Sequence, residues 1–222
     1  MDQMPDLSFG MFSGYVPING TEKQLHYIAT LSENDPLKDP VIIWFNGGPG
    51  CSSLIGWGSE HGPYVIEDGT EEFIKNLYAW NKEATIIYLE SPAGVGFSMC
   101  PNADECNFND TSSADDNLIA VLNLMTMKFP DLQKNDLYLS GESYAGLYVP
   151  YLALRIDHYI AKITTDPSGV YIPNLKGFMI GNGVTSWKYD TTPAFFEMSF
   201  IHGLIDEPLY RQIKDNNCTG GF

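Results

Sequence analysis

The sequence predicts an α/β fold with a mostly parallel sheet and helices on both faces, and two observations carry that expectation. Val41 to Phe45 and Ala84 to Leu89 are apolar runs without polar alternation, as expected of central parallel strands covered on both faces. From Ala84 onward, such runs alternate with amphipathic stretches, giving strand, helix, strand, helix, strand, the order of right-handed parallel crossovers. Composition agrees. The 222 residues are 44% hydrophobic and only 18% charged, enough to bury a core, and no repeat or low-complexity tract interrupts them.

The elements follow in chain order. Phe12 to Pro17 and Leu25 to Leu31 are β-rich runs around the tight-turn pair Asn19-Gly20, so they read as an entry hairpin with both strands at a sheet edge. Thr111-Ser112-Ser113 offers N-caps, Asp115 and Asp116 suit a first turn, and Leu118, Val121, Leu122, Met125 and Phe129 recur at helical spacing until Pro130. Asp136 to Ser140 reads as a strand, Ala145 to Ile160 as a helix and Leu175 to Ile180 as a strand. After Gly183 the pattern changes to helices around Pro193 to Ile201 and Pro208 to Asn216.

Charge and cysteines narrow the setting. Twelve Lys and Arg against 28 Asp and Glu leave a net charge of −16, which argues against a nucleic-acid partner. The longest apolar runs are far shorter than the roughly 20 residues of a membrane span. The first twenty residues have no Lys, Arg or apolar run, so a secretory leader is expected to be already removed if one existed. Sequons at Asn19, Asn109 and Asn217, with four cysteines, suggest an oxidising compartment. Cys100 and Cys106 are spaced for a local disulfide or, by spacing alone, a metal hairpin; the disulfide is favoured because no second ligand pair follows. Cys51 and Cys218 can pair with each other or outside the chain. His26, His61, His158 and His202 lack ligand spacing, so neither metal nor cofactor is expected.

The sharpest chemical signal is Gly141-Glu142-Ser143-Tyr144-Ala145-Gly146 between a strand and a helix. Small residues at 141 and 145 permit the strained turn of a nucleophile elbow, which leaves the Ser143 hydroxyl exposed and aims the Tyr144 N–H at a developing oxyanion. Asn46-Gly47-Gly48-Pro49-Gly50-Cys51-Ser52-Ser53 follows the strand ending at Phe45, where Gly47 and Gly48 can present a second backbone donor. It lacks the Lys-Ser/Thr of a phosphate loop. Gly94-Val95-Gly96 is read as a turn.

These strings, with Trp44-Phe45 before the glycine loop, Glu60-His61-Gly62-Pro63, Ser91 to Ser98 and Ile180 to Gly183, together resemble the serine carboxypeptidases, in order from about Ser13 to Tyr210. The resemblance implies an α/β-hydrolase fold with Ser143 as acylating nucleophile and Gly48 and Tyr144 as oxyanion-hole donors. It further implies that Asn46, Glu60 and Glu142, helped by Trp44 and Gly47, hold the substrate's terminal carboxylate, with Asn182 lining the same cleft. Two neighbouring carboxyls cannot both ionise cheaply, so one can stay protonated and donate to that carboxylate, which favours acidic pH. On this reading residues 1–183 are the amino-terminal part of the hydrolase core and 184–222 begin a helical cap.

The triad is incomplete in this stretch. The base and its acid should follow Ser143, yet His158 falls in the helix after it and His202 in the helical tail. In the family they come from segments further downstream. A second chain of the same precursor, an isolated fragment or a truncated product would each fit, and the family's bridge from the cysteine matching Cys51 to the downstream half suggests a disulfide-linked partner, with Cys218 also facing outward. The expected function is a lysosomal, vacuolar or secreted carboxypeptidase acting on peptides. An acyltransferase of the same fold and a non-catalytic binding fragment are the alternatives.

Overall fold

The structure is a computed structural model that describes residues 7–66, 69, 72–163, 170–187, 189–190 and 192–218. Its strands are β1 (Met11–Pro17), β2 (Gln24–Thr30), β3 (Val41–Phe45), β4 (Tyr64–Ile66), β5 (Phe73–Lys75), β6 (Thr85–Leu89), β7 (Leu137–Glu142) and β8 (Leu175–Gly181). The helices are α1 (Asp110–Asn123), α2 (Ala145–Ile163), α3 (Thr192–Ile201) and α4 (Glu207–Asp215). Six strands form one sheet in the order β1-β2-β6-β3-β7-β8. The pairs β6/β3, β3/β7 and β7/β8 are parallel, and β1/β2 and β2/β6 antiparallel.

Burial follows the apolar runs. Every residue of β3 and of β6 is buried, because each strand is flanked by two others and covered above and below. On one face Ile43, Phe45, Ile87, Leu89, Leu137 and Leu139 pack with Val121 and Leu124 and with Val149, Leu152 and Ile156 of α2. Each such buried aliphatic side chain contributes about 2 kcal/mol. On the other face Ile42, Trp44, Ile86 and Tyr88 are covered by Leu54 and Trp57.

Three details differ from the sequence reading. Of the entry hairpin only β1 lies at a sheet edge: β2 is enclosed between β1 and β6, and its Leu25, Tyr27 and Ala29 are core residues. β6 is central but parallel on its β3 side only, since the entry hairpin returns beside it antiparallel. The cap of α1 is Asn109, ahead of Thr111-Ser112-Ser113. Its side chain accepts from the Ser112 N–H while the Ser112 hydroxyl accepts from the Asn109 N–H, a reciprocal capping box that the Ser/Thr run concealed.

The β4/β5 hairpin was not foreseen; its strands are three residues long and flank a stretch with no apolar alternation. The tail folds into α3 and α4, which pack on each other through the stacked rings of Phe200 and Tyr210, 4.2 Å apart, and remain largely exposed. Cys100 and Cys106 form a disulfide, whereas Cys51 and Cys218 are both exposed and unbonded, so they do not pair with each other. No described helix is long and apolar enough to cross a membrane.

Candidate active site

The site forms where β3 and β7, adjacent and parallel, end side by side. Gly141 allows this closeness: a Cβ there would stand 2.6 Å from the Phe45 carbonyl oxygen and 2.6 Å from the Ala145 Cβ. The chain then turns sharply into α2 at Ser143, whose φ of 58° lies in the left-handed region that non-glycine residues rarely adopt. Four hydrogen bonds hold that turn. The Ser143 N–H donates to Gly181, its carbonyl accepts from Gly146 and Val184, and the Leu147 N–H donates to Tyr144. Ser143 is left exposed just before α2.

The glycine loop packs directly on this elbow. A Cβ on Gly47 would collide with the Tyr144 amide nitrogen and stand 2.7 Å from the Glu142 carbonyl and 3.0 Å from the Ala145 nitrogen. Gly47 is thus pressed against Tyr144, and Gly48, with φ of 107°, follows on the exposed side. The Tyr144 ring is anchored too: its hydroxyl donates to Asp110 Oδ1 at 3.0 Å, and burial with that bond pushes its pKa to about 12.

Asn46 is the hub of the second half of the site. It is 2% exposed, and its Nδ2 donates to Glu142 at 2.9 Å and to Glu60 at 3.3 Å. Its Oδ1 accepts from the Trp44 indole at 2.8 Å and from the Gly56 N–H at 3.0 Å, which fixes the direction of the amide. Trp44 is itself buried and committed to Asn46, so it orients that side chain. Desolvation, and then the charge of Glu142, raise the Glu60 pKa, while the Asn46 amide opposes the rise.

Glu60 reaches Asn46 because Gly56–Glu60 forms a wide π-helical turn, closed by the His61 N–H on the Gly56 carbonyl at 3.0 Å. Nothing in the spacing of those residues announces it. His61 is buried, stacked on Trp80 at 4.1 Å and on Tyr88 at 5.5 Å, and burial lowers its pKa to about 4. Asn182 sits at the end of β8 with φ of 42°. His158 is exposed on α2 and His202 exposed after α3. No group of three or more His, Cys, Asp or Glu among the described residues is arranged to hold a metal ion.

The sequence profile of the family described as serine carboxypeptidase matches residues 2–221. The chain belongs to the serine carboxypeptidase family. Relatives of this family member include a serine carboxypeptidase of Caenorhabditis elegans, 40% identical over 232 residues, aligned with 100% of this chain and 45% of that protein. The lysosomal protective protein of Mus musculus is 39% identical over 224 residues, covering 99% of this chain and 44% of that protein. Among solved structures, a prohormone-processing carboxypeptidase of Saccharomyces cerevisiae superposes with a TM-score of 0.80 at 26% identity, over 99% of this chain and 49% of that one. The fold is that of the α/β-hydrolases. The chain spans somewhat under half the length of the curated relatives it matches.

One buried group of this serine carboxypeptidase chain escaped the sequence reading. Glu90, fully buried at the end of β6, meets Ser52 of the glycine loop, and its charge after an apolar strand was the only available signal.

Proposed function

We propose that the protein is a serine carboxypeptidase that releases the last residue of a peptide through an acyl-enzyme on Ser143. The observation that carries this reading is the Asn46 amide bridging Glu142 and Glu60 beside the exposed Ser143 elbow. Ser143 Oγ attacks the scissile carbonyl while the N–H groups of Gly48 and Tyr144 bind the oxyanion. The serine proton passes to a histidine and on to the leaving amine, and water then releases the acyl group.

That histidine and its orienting acid come, on this proposal, from the carboxy-terminal half of the same precursor, as a continuous chain or a second one bridged through Cys51. Residues 1–183 are then core and 184–222 the start of a cap. The substrate carboxylate is held by Asn46, Glu60 and Glu142, with Gly47 alongside and Trp44 steadying Asn46. A carboxyl of raised pKa keeps its proton further up the pH scale and donates it to the substrate carboxylate; once it ionises the two repel. Binding therefore weakens as pH rises through the Glu60 pKa.

A lysosomal, vacuolar or secreted location is supported by the Cys100–Cys106 disulfide, by exposed sequon residues Asn19, Asn109 and Asn217, and by the name of the mouse relative. The test gives the full-length protein that carries this chain a pair of blocked peptides differing only in a free or amidated carboxy terminus. Release of the terminal residue from the free acid alone, with KM increasing from pH 5 to 7, is expected. Equal cleavage of both peptides, or of neither, overturns the proposal.

A further inference from the structure

We propose that Glu90 is a positioning residue for the oxyanion loop, an inference that rests on the carboxypeptidase reading of Ser143. It is a fully buried carboxylate outside the site just described. Burying a charge is costly unless several donors satisfy it, and three different chain segments supply them here. The Ser52 hydroxyl donates to Oε1; the Phe97 N–H, at 2.9 Å, and His26 Nδ1, at 2.9 Å, both meet Oε2. His26 is oriented in turn by Ser13 Oγ, 2.9 Å from its Nε2.

The consequence concerns the loop from Asn46 to Ser53. Ser52 lies four residues beyond Gly48, and its neighbour Ser53 ties the same loop to the end of β6 by donating to the Leu89 carbonyl at 2.6 Å. Ser53 Oγ also accepts from the Asn46 N–H at 3.2 Å. Two consecutive serines therefore clamp the loop to Leu89 and Glu90. The Ser53 bond ends on a backbone carbonyl, so any residue at 89 would supply it. The Ser52 bond exists only because residue 90 bears an acceptor long enough to reach it.

Glu90 also carries the loop on its far side. Its backbone carbonyl accepts from Ser98 Oγ at 2.7 Å, its Oε2 from Phe97, and Gly96 lies so close that a Cβ would collide with the carboxylate. One side chain thus joins β2, the glycine loop and the 91–98 loop. Gly48 can hold its N–H in a fixed direction only while that junction is rigid, because preorganised donors are what stabilise an oxyanion.

The test uses the full-length protein that carries this chain, with Ser52→Ala, Ser52→Thr and Glu90→Gln variants. The readouts are the rate constant for phosphonylation of Ser143 by a fluorophosphonate and kcat and KM for a peptide. A donor displaced by about 1 Å costs up to about a hundredfold in rate. Ser52→Ala and Glu90→Gln should each slow phosphonylation and kcat by about tenfold to a hundredfold, with KM changed less than threefold. Ser52→Thr, which keeps the hydroxyl, should restore most of the rate. The double variant should be no slower than the worse single one, since both remove the same junction.

If the variants melt earlier yet react within twofold of the unsubstituted protein, Glu90 serves stability alone and the inference fails while the carboxypeptidase reading stands. If the unsubstituted protein is not phosphonylated at Ser143, both fail together. Should Glu90→Gln not fold, Ser52→Ala decides, because it leaves the buried carboxylate two of its three donors.

Discussion

Replacing Gly47 by Ala tests the contact between the glycine loop and the elbow with a single methyl group. The new Cβ would collide with the Tyr144 amide nitrogen and stand 2.7 Å from the Glu142 oxygen and 3.0 Å from the Ala145 nitrogen. All three neighbours are backbone, so no side chain can rotate away. Ordinary carbon contacts begin near 3.5 Å, so loop and elbow must separate by about 1 Å. Overpacking of this kind costs about 3 kcal/mol where the neighbours cannot yield, which should lower the melting temperature of the full-length protein by several degrees. The same displacement separates the Gly48 and Tyr144 donors and should slow acylation of Ser143 by about a hundredfold. Thermal unfolding and the rate of fluorophosphonate labelling are the assays. An alanine variant that melts within 1 °C of the parent and labels at the same rate would refute the close packing on which the oxyanion assignment depends.

Other consequences follow from the same geometry. Asn46→Ala removes the donor shared by Glu60 and Glu142, and KM for a free-acid peptide should rise by tenfold or more, about 1.4 kcal/mol, with kcat less affected. His61 protonates at about 4 when folded against 6.5 in its ordinary state, so the unfolded chain takes the proton first as pH falls. Stability is therefore complete above pH 6.5 and declines toward pH 4, by about 3 kcal/mol. In His61→Phe, urea unfolding at pH 7 and pH 4 should show that much less decline. Reducing the Cys100–Cys106 disulfide opens a loop of sequence separation 6 and should cost about 2 kcal/mol, read as a lower urea midpoint with unchanged labelling of Ser143.

The sheet was readable because β3 and β6 are buried on both faces, and a continuous apolar run of about five residues rich in Ile and aromatics is too short for a buried helix. The elbow was readable for a different reason: only small residues at 141 and 145 admit the close approach of Phe45, so the steric demand is written in residue type. β2 was misplaced because an edge hairpin and one that continues into the sheet share the same local pattern. Pairing with β6, some sixty residues away, is a tertiary fact. The α1 cap was displaced because Asn109, Thr111, Ser112 and Ser113 are all competent caps, and the reciprocal bond chooses among them.

In the site, Asn46, Glu60 and Glu142 all lie in motif strings, but the π-helical turn that carries Glu60 to the other two leaves no periodic trace over five residues. His61 likewise gave no sign of burial, since its partners Trp44, Trp80 and Tyr88 come from three separate segments. Glu90 shows the same limit: a carboxylate satisfied by Ser52, Phe97 and His26 cannot be recognised before those segments are placed together.

The central claim is that Ser143 is an activated nucleophile. Its most direct measurement is reaction of the full-length protein with a fluorophosphonate at about pH 5, with the adduct located by peptide mass spectrometry and Ser143→Ala as control. The account predicts one equivalent of label, on the peptide containing Ser143, and none in the alanine variant. Folded protein that takes no label, or takes it on another residue, would contradict it.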